Sequence, residues 1–346
     1  MDINYMFTGN NQMHCFVIIL CLVLVGCQKS DRIATRSDSH QMQDIQLISN
    51  ESDYLYVFNK MEAQIKSAPH RIDDRELSNY IVKILCQLSI DYCHQIRIYI
   101  LENPEFNAYM LPNGAFIILT GLLLRIDDES QLAYVLAHEL GHYVNKHGIK
   151  KINYSKFKNT QAAGTSQRFS TYMSLNKYTQ DLEHQADLFG IELLADKQYD
   201  LNSVAMLYIN LQQENRAAKK ENKGGFDSTH PGTDRRISLI QKYASHKPIK
   251  IPDADNSWQQ IKTAYINNWL NLELRKREFK SSLLLLERLK LNSTDPAYFD
   301  YFIGEIFRKQ SGMDNQNKAV SYYLKHLDGN YLVDDIYKNL VMSMWN

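Results

Sequence analysis

The chain has 346 residues, room for about two domains, and 44% of them are hydrophobic, enough for a packed core. Its 39 Lys and Arg balance 39 Asp and Glu. No net field is left to gather nucleic acid or an anionic membrane surface, which argues against both as partners.

The first feature along the chain is Cys15 to Cys27, CFVIILCLVLVGC. This apolar run is too short to span a bilayer comfortably and has the length of a secretion-signal core. It ends in Leu24-Val25-Gly26-Cys27, which resembles a bacterial lipobox. The resemblance implies that residues 1–26 are a signal peptide, cleaved before Cys27, and that the Cys27 sulfur is acylated. Residues 1–14 carry Asp2 and no Lys or Arg, unlike the usual basic start, and initiation at Met13 gives a shorter leader. Residue 28 is Gln rather than Asp, so the usual inner-membrane retention signal is missing. The expected location is the periplasmic face of the outer membrane, with lipid as the only anchor. Residues 27–50 are polar, lack an apolar stripe and read as a tether.

Asp53–Ser67 and Arg75–Ile90 read as helices, and His94–Leu101 alternates like a strand. With Cys27 acylated, Cys86 and Cys93 remain as an even pair in an oxidising compartment. A disulfide and two independently buried thiols are both open. Asn107–Leu111 and Ala115–Thr120 read as strands joined by the turn Pro112-Asn113-Gly114.

Gln131 to Gly148, QLAYVLAHELGHYVNKHG, repeats Leu132, Leu136, Leu140 and Val144 every four residues and predicts a helix with one buried stripe. His138 and His142, at i and i+4, can aim at one spot. Glu139 lies about 100° further round the helix and can reach the edge of that spot without occupying it. This is the H-E-x-x-H arrangement of two zinc-ligating histidines and a glutamate that takes a proton from water. Lys150–Lys177 is polar and aperiodic and is expected to be a mobile flap. Tyr178–Asp196 is helical again. There Glu183 can serve as a third ligand, and Asp187, one turn on, can hold a ligating imidazole in orientation. His184 is the rival ligand, but it points about 100° away from Glu183, so the two cannot both serve.

Four blocks, NAYMLPNGAFIILTGLL, ESQLAYVLAHELGHYVNKHG, EHQAD and STHPGTDRRI, resemble in order those of the CAAX-prenyl-protease and HtpX-like zinc metallopeptidases. The resemblance spans Glu51 to Ser245. It implies an α+β, mostly helical gluzincin fold with a small β-sheet over residues 51–247. It also implies His138, His142 and Glu183 as ligands of one zinc ion, Glu139 as general base, and endopeptidase activity on a protein or peptide. This chain has no hydrophobic span after residue 27, unlike the integral-membrane members, and resembles a periplasmic branch. In such enzymes an edge strand binds the substrate as an added strand. The resemblance gives that edge to NAYML, with Asn107 and Ala108. It also puts the His230 loop over the active site with Arg236 on the helix behind. Three readings of His230 are open: it donates to the oxyanion of the reaction, with Arg236 adding charge nearby; it occupies the open metal position as a gate; or it caps the following helix with no metal contact. The Gly-rich approach to the loop favours the gate.

HKPIKIPDADNS reads as a linker, and residues 255–346 as an all-α region. Gly304, Phe307, Ala319 and Tyr323 resemble a degenerate tetratricopeptide unit, and a helical extension packed on the protease domain is equally open; either could dock an envelope protein. Tyr298, Phe299, Tyr301 and Phe302 read as core. The expected function is zinc-dependent cleavage of unfolded or misassembled envelope proteins. The competing reading is a chaperone-like or adaptor protein with an idle or structural zinc site.

Overall fold

The structure is a computed structural model that describes residues 51–154, 180–218, 230–245, 257–310, 312–329 and 336–345. The expected signal peptide, the Cys27 tether, most of the flap and the linker lie outside the described residues.

Four strands, β1 (Arg71–Ile72), β2 (Arg97–Leu101), β3 (Ala108–Met110) and β4 (Ala115–Leu119), form one sheet in the order β1-β2-β4-β3. β2 and β4 run parallel from Arg97 opposite Ala115 to Leu101 opposite Leu119, and the other pairs are antiparallel. All five β4 residues are buried, because this strand is covered on both faces. Ala115, Ile117 and Leu119 share a cluster with Val57, Phe58, Met61 and Ile65 of helix α1 (Glu51–Lys66). Phe116 and Ile118 join the main core.

Helix α2 (Arg75–Leu88) begins at Asp74, whose side chain accepts the Leu77 N–H, and it buries the stripe Leu77, Ile81, Ile84 and Leu88. A short helix α3 (Ile90–Cys93) follows, so the expected strand from His94 forms only from Arg97. Cys86 and Cys93 are joined by a disulfide. Thr120 is the first residue of helix α4 (Thr120–Arg125) rather than the last of β4.

Helix α5 (Glu129–Val144) starts on Asp128, which accepts the Gln131 N–H. It ends sooner than the sequence pattern suggests. Lys146 adopts a left-handed φ of 53° and turns the chain into helix α6 (His147–Tyr154). Lys150–Tyr154, expected in the flap, are therefore helical. Helix α7 (Gln180–Asp196) crosses α5 with no room to spare. A Cβ on Gly141 would sit 3.2 Å from the Ala186 Cα, and one on Gly190 3.3 Å from the His138 nitrogen. Helix α8 (Leu201–Ala217), capped by Asp200, has no counterpart among the elements singled out in the sequence. Helix α9 (Thr233–Ala244) carries Arg236, as the resemblance implied.

The C-terminal region consists of α10 (Ser257–Arg275), α11 (Phe279–Leu291), α12 (Pro296–Arg308), α13 (Met313–Asp328) and α14 (Ile336–Trp345). It shares one core cluster with the sheet-bearing part, running from Leu77 to Ile306. Phe299 and Phe302 are buried, with Tyr298 and Tyr301 packed against the same core. Polar contacts close the seam. Trp258 Nε1 and Lys262 Nζ both donate to the Ile126 carbonyl, at 3.1 and 2.7 Å. Burial pushes the Lys262 amine down to about 7. Arg125 of α4 donates to Glu214 of α8 at 2.7 Å and to Glu273 of α10 at 3.0 Å, all three side chains being almost wholly buried. The architecture is mostly helical α+β, as expected.

Candidate active site

α5 presents His138 and His142 on one side, one turn apart, and the close α5–α7 crossing brings Glu183 to face them. The loop before α9 adds His230. His138 Nε2 lies 3.1 Å from His142 Nε2 and 3.2 Å from His230 Nδ1. Glu183 Oε1 is 3.3 Å from His142 Nε2 and 3.1 Å from His230 Nδ1. All four side chains are buried, and their donor atoms lie within 4.8 Å of one another. Four donors round a tetrahedral ion, at bonds of about 2.0 to 2.1 Å, stand about 3.3 Å apart. The spacing and the mixture of imidazole and carboxylate therefore fit one zinc ion.

Asp187 Oδ1 lies 3.0 Å from His138 Nδ1, on the ring edge away from the cluster. Tyr134 donates to that oxygen at 2.9 Å and Arg236 Nε at 2.6 Å. Arg236 Nη2 also donates to Glu183 at 2.8 Å. One buried guanidinium thus braces both carboxylates, and its charge reaches the site through them. Burial alone lowers the basicity of His138, but the hydrogen bonds to Asp187 and Glu183 more than offset this and hold the ring at about 9. Asp187, on the far edge of the ring, strengthens His138 Nε2 as a donor to a cation.

Glu139 stands beside the donor group and outside it. It is 2% exposed. Its Oε1 lies 3.4 Å from His230 Nε2. Burial raises its carboxyl above the usual range, against the opposing charges of His230 and His138. The Met110 backbone N–H acts on the same carboxyl, so strand β3 borders Glu139. β3 is one of the two edge strands of the sheet, and the Asn107 carbonyl before Ala108 accepts the Leu119 N–H at 3.1 Å. The structure thus gathers His138, Glu139, His142, Glu183, Asp187, His230 and Arg236 in one buried site. His184 is not in the donor group. Cys27 lies outside the described residues.

Residues 72–244, half of the chain, match peptidase family M48. The chain belongs to peptidase family M48. It is 25% identical over 187 residues to the mitochondrial metalloendopeptidase OMA1 of Schizosaccharomyces pombe, covering 50% of this chain and 55% of that one. The human mitochondrial metalloendopeptidase OMA1 is 23% identical over 181 residues, 46% of this chain and 34% of that one. The beta-barrel assembly-enhancing protease of Escherichia coli is 20% identical over 273 residues, 68% of this chain and 55% of that one. The chain spans about half the length of these relatives or less. M48 membership and the donor group together give this chain one zinc ion as its cofactor. Among the described residues, no helix is long and apolar enough to cross a membrane.

Two site residues escaped the sequence reading of this M48 chain. Tyr134 lies one turn before His138, and the i, i+4, i+8 series Tyr134, His138, His142 was a signal for it. His147, whose ring lies 2.9 Å from that of His142, gave no periodic signal.

Proposed function

We propose that the chain is a zinc-dependent endopeptidase that cleaves unfolded or misassembled envelope proteins. The observation that carries this reading is Glu139: a buried carboxylate beside the donor group, at the border of an edge strand. A structural metal site has no need of such a neighbour. When bound, zinc supplies a Lewis acid that polarises a carbonyl and brings the pKa of water near neutrality. Glu139 takes the proton of the attacking water and delivers it to the leaving amine, a transfer its raised carboxyl favours. β3 holds the substrate by main-chain hydrogen bonds, which tolerates many sequences and suits unfolded chains. His230 closes the resting site from the donor group and leaves when substrate enters.

The envelope substrate is supported by the likeness to a beta-barrel assembly-enhancing protease. The periplasmic face of the outer membrane is the proposed location, with acylated Cys27 as anchor. The C-terminal helices are the proposed docking surface for an envelope protein.

The test is zinc content and cleavage of an unfolded protein by wild type and Glu139→Gln. Glu139→Gln is expected to keep its zinc and to lose at least about 10²-fold in rate, as loss of a general base does. Equal cleavage by the two proteins would overturn the reading.

A further inference from the structure

We propose that His147 is a positioning residue for the zinc ligand His142, accepting the Nδ1 proton of that ring and anchored in turn by Gln185. The proposal rests on the zinc reading of the site. His142 turns its Nε2 to the donor group, 3.1 Å from His138 Nε2 and 3.3 Å from Glu183 Oε1. Its other nitrogen, Nδ1, lies 2.9 Å from His147 Nδ1. His147 is 0% exposed, and its Nε2 lies 3.1 Å from Gln185 Oε1.

The tautomers follow from the two ends of this chain of contacts. A neutral imidazole has one donor nitrogen and one acceptor. A His142 ring that gives its Nε2 lone pair to a metal carries its proton on Nδ1. His147 Nδ1 must then accept, so the His147 proton sits on Nε2 and is donated to the Gln185 amide oxygen. Each contact has one consistent direction, from the metal ligand outward. With the Gln185 amide reversed, two N–H groups would face each other between the rings.

The contact depends on a break in the helix. In a continuous helix the fifth residue on lies about 140° round from the first. α5 instead ends at Val144, capped at Asn145, and the left-handed Lys146, at φ 53°, swings His147 back under the His142 ring. Gln185 comes from α7, two residues beyond Glu183. The two ligand histidines are thus held differently, His138 by the charged Asp187 and His142 by a neutral ring.

The test is zinc affinity of the full-length protein, measured by competition with a chelator, with metal-free melting temperature as a check on the fold. His147→Leu keeps the volume and removes the acceptor, and is expected to bind zinc about 10- to 100-fold more weakly, the usual cost of losing an outer partner of a ligand. In His147→Asn the amide Oδ1 stands where Nδ1 stood, and binding is expected within about threefold of wild type. Wild-type protein that takes up no zinc would overturn the site reading itself. Wild type that binds zinc, with the Leu variant within about twofold of it or no weaker than the Asn variant, would overturn the role of His147 alone. If the Leu variant does not fold, Gln185→Met decides, since it removes the anchor and leaves the acceptor. Severalfold weaker binding is then expected, and unchanged affinity would overturn the proposal.

Discussion

His230 holds the last position of the donor group and flanks the base as well. Its Nδ1 lies 3.1 Å from Glu183, and its Nε2 lies 3.4 Å from Glu139. One ring therefore stands against both the donor group and the carboxylate proposed as the base. His230→Ala is expected to raise the initial rate of cleavage of an unfolded substrate by about 2- to 10-fold, the size of shift that removing a modestly favoured closed state gives. A fall of about 10²-fold would instead identify a donor to the transition state. At this scale the sequence was most legible where function rides on helical period. His138, His142 and Glu139 need only one turn of helix to be read. The same angle showed that Glu183 and His184 cannot both serve, and the family resemblance chose Glu183. His147 was not legible, because its contact needs a left-handed residue that no local pattern announces.

Among the elements, the sheet and α1 are locked by Glu62, which sits under the turn between β3 and β4. Arg97 of β2 donates to it twice, at 2.6 and 2.8 Å, and Tyr99 and Asn113 donate at 2.6 and 2.8 Å. The Arg97 hydrogen bonds, against the cost of burial, hold the Glu62 carboxyl down to about 2 from an ordinary 4.5. A carboxyl lowered on folding stabilises above its unfolded pKa, and that contribution is lost as the pH falls from about 4.5 toward 2. Arg97 is 41% exposed, so solvent screens the pair. The stability advantage of wild type over Glu62→Gln, read by urea unfolding, is expected to shrink by about 1 kcal/mol between pH 6 and pH 3. Strands β2, β3 and β4 of this sheet were legible from alternation and from the turn Pro112-Asn113-Gly114, whereas the two-residue β1 was not. Their order was not, because the parallel pairing of β2 with β4 puts β3 at the edge by tertiary choice.

Across the whole molecule, Arg125 ties α4, α8 and α10 together through two carboxylates. Arg125→Met would leave Glu214 and Glu273 buried with thinner compensation, from Arg288 at 3.3 Å and Lys276 at 3.4 Å. The expected loss is about 3 kcal/mol, the lower end for breaking a buried pair, seen as a lower urea midpoint. Zinc affinity should stay unchanged, since none of these residues contacts the donor group. No sequence pattern revealed this cluster, whose members stand 89 and 148 residues apart. Such contacts are settled by packing, and α8 itself carries no chemical motif. The helical character of the tail was legible, but its polar seam with α4 was not.

Because Trp258 and Lys262 close on a single carbonyl, that of Ile126, the tail is not a cassette. A tail grafted from another family member would have to bring both donors, or leave a bare acceptor under an indole-sized hollow. Changes on the two sides of this seam are therefore bound to be non-additive, and they constrain each other's order of appearance during divergence. Farther along the tail, Ala319 and Tyr323 of α13 and Ile336 of α14 form a cluster of their own outside the main core, so changes there answer to one another rather than to this seam.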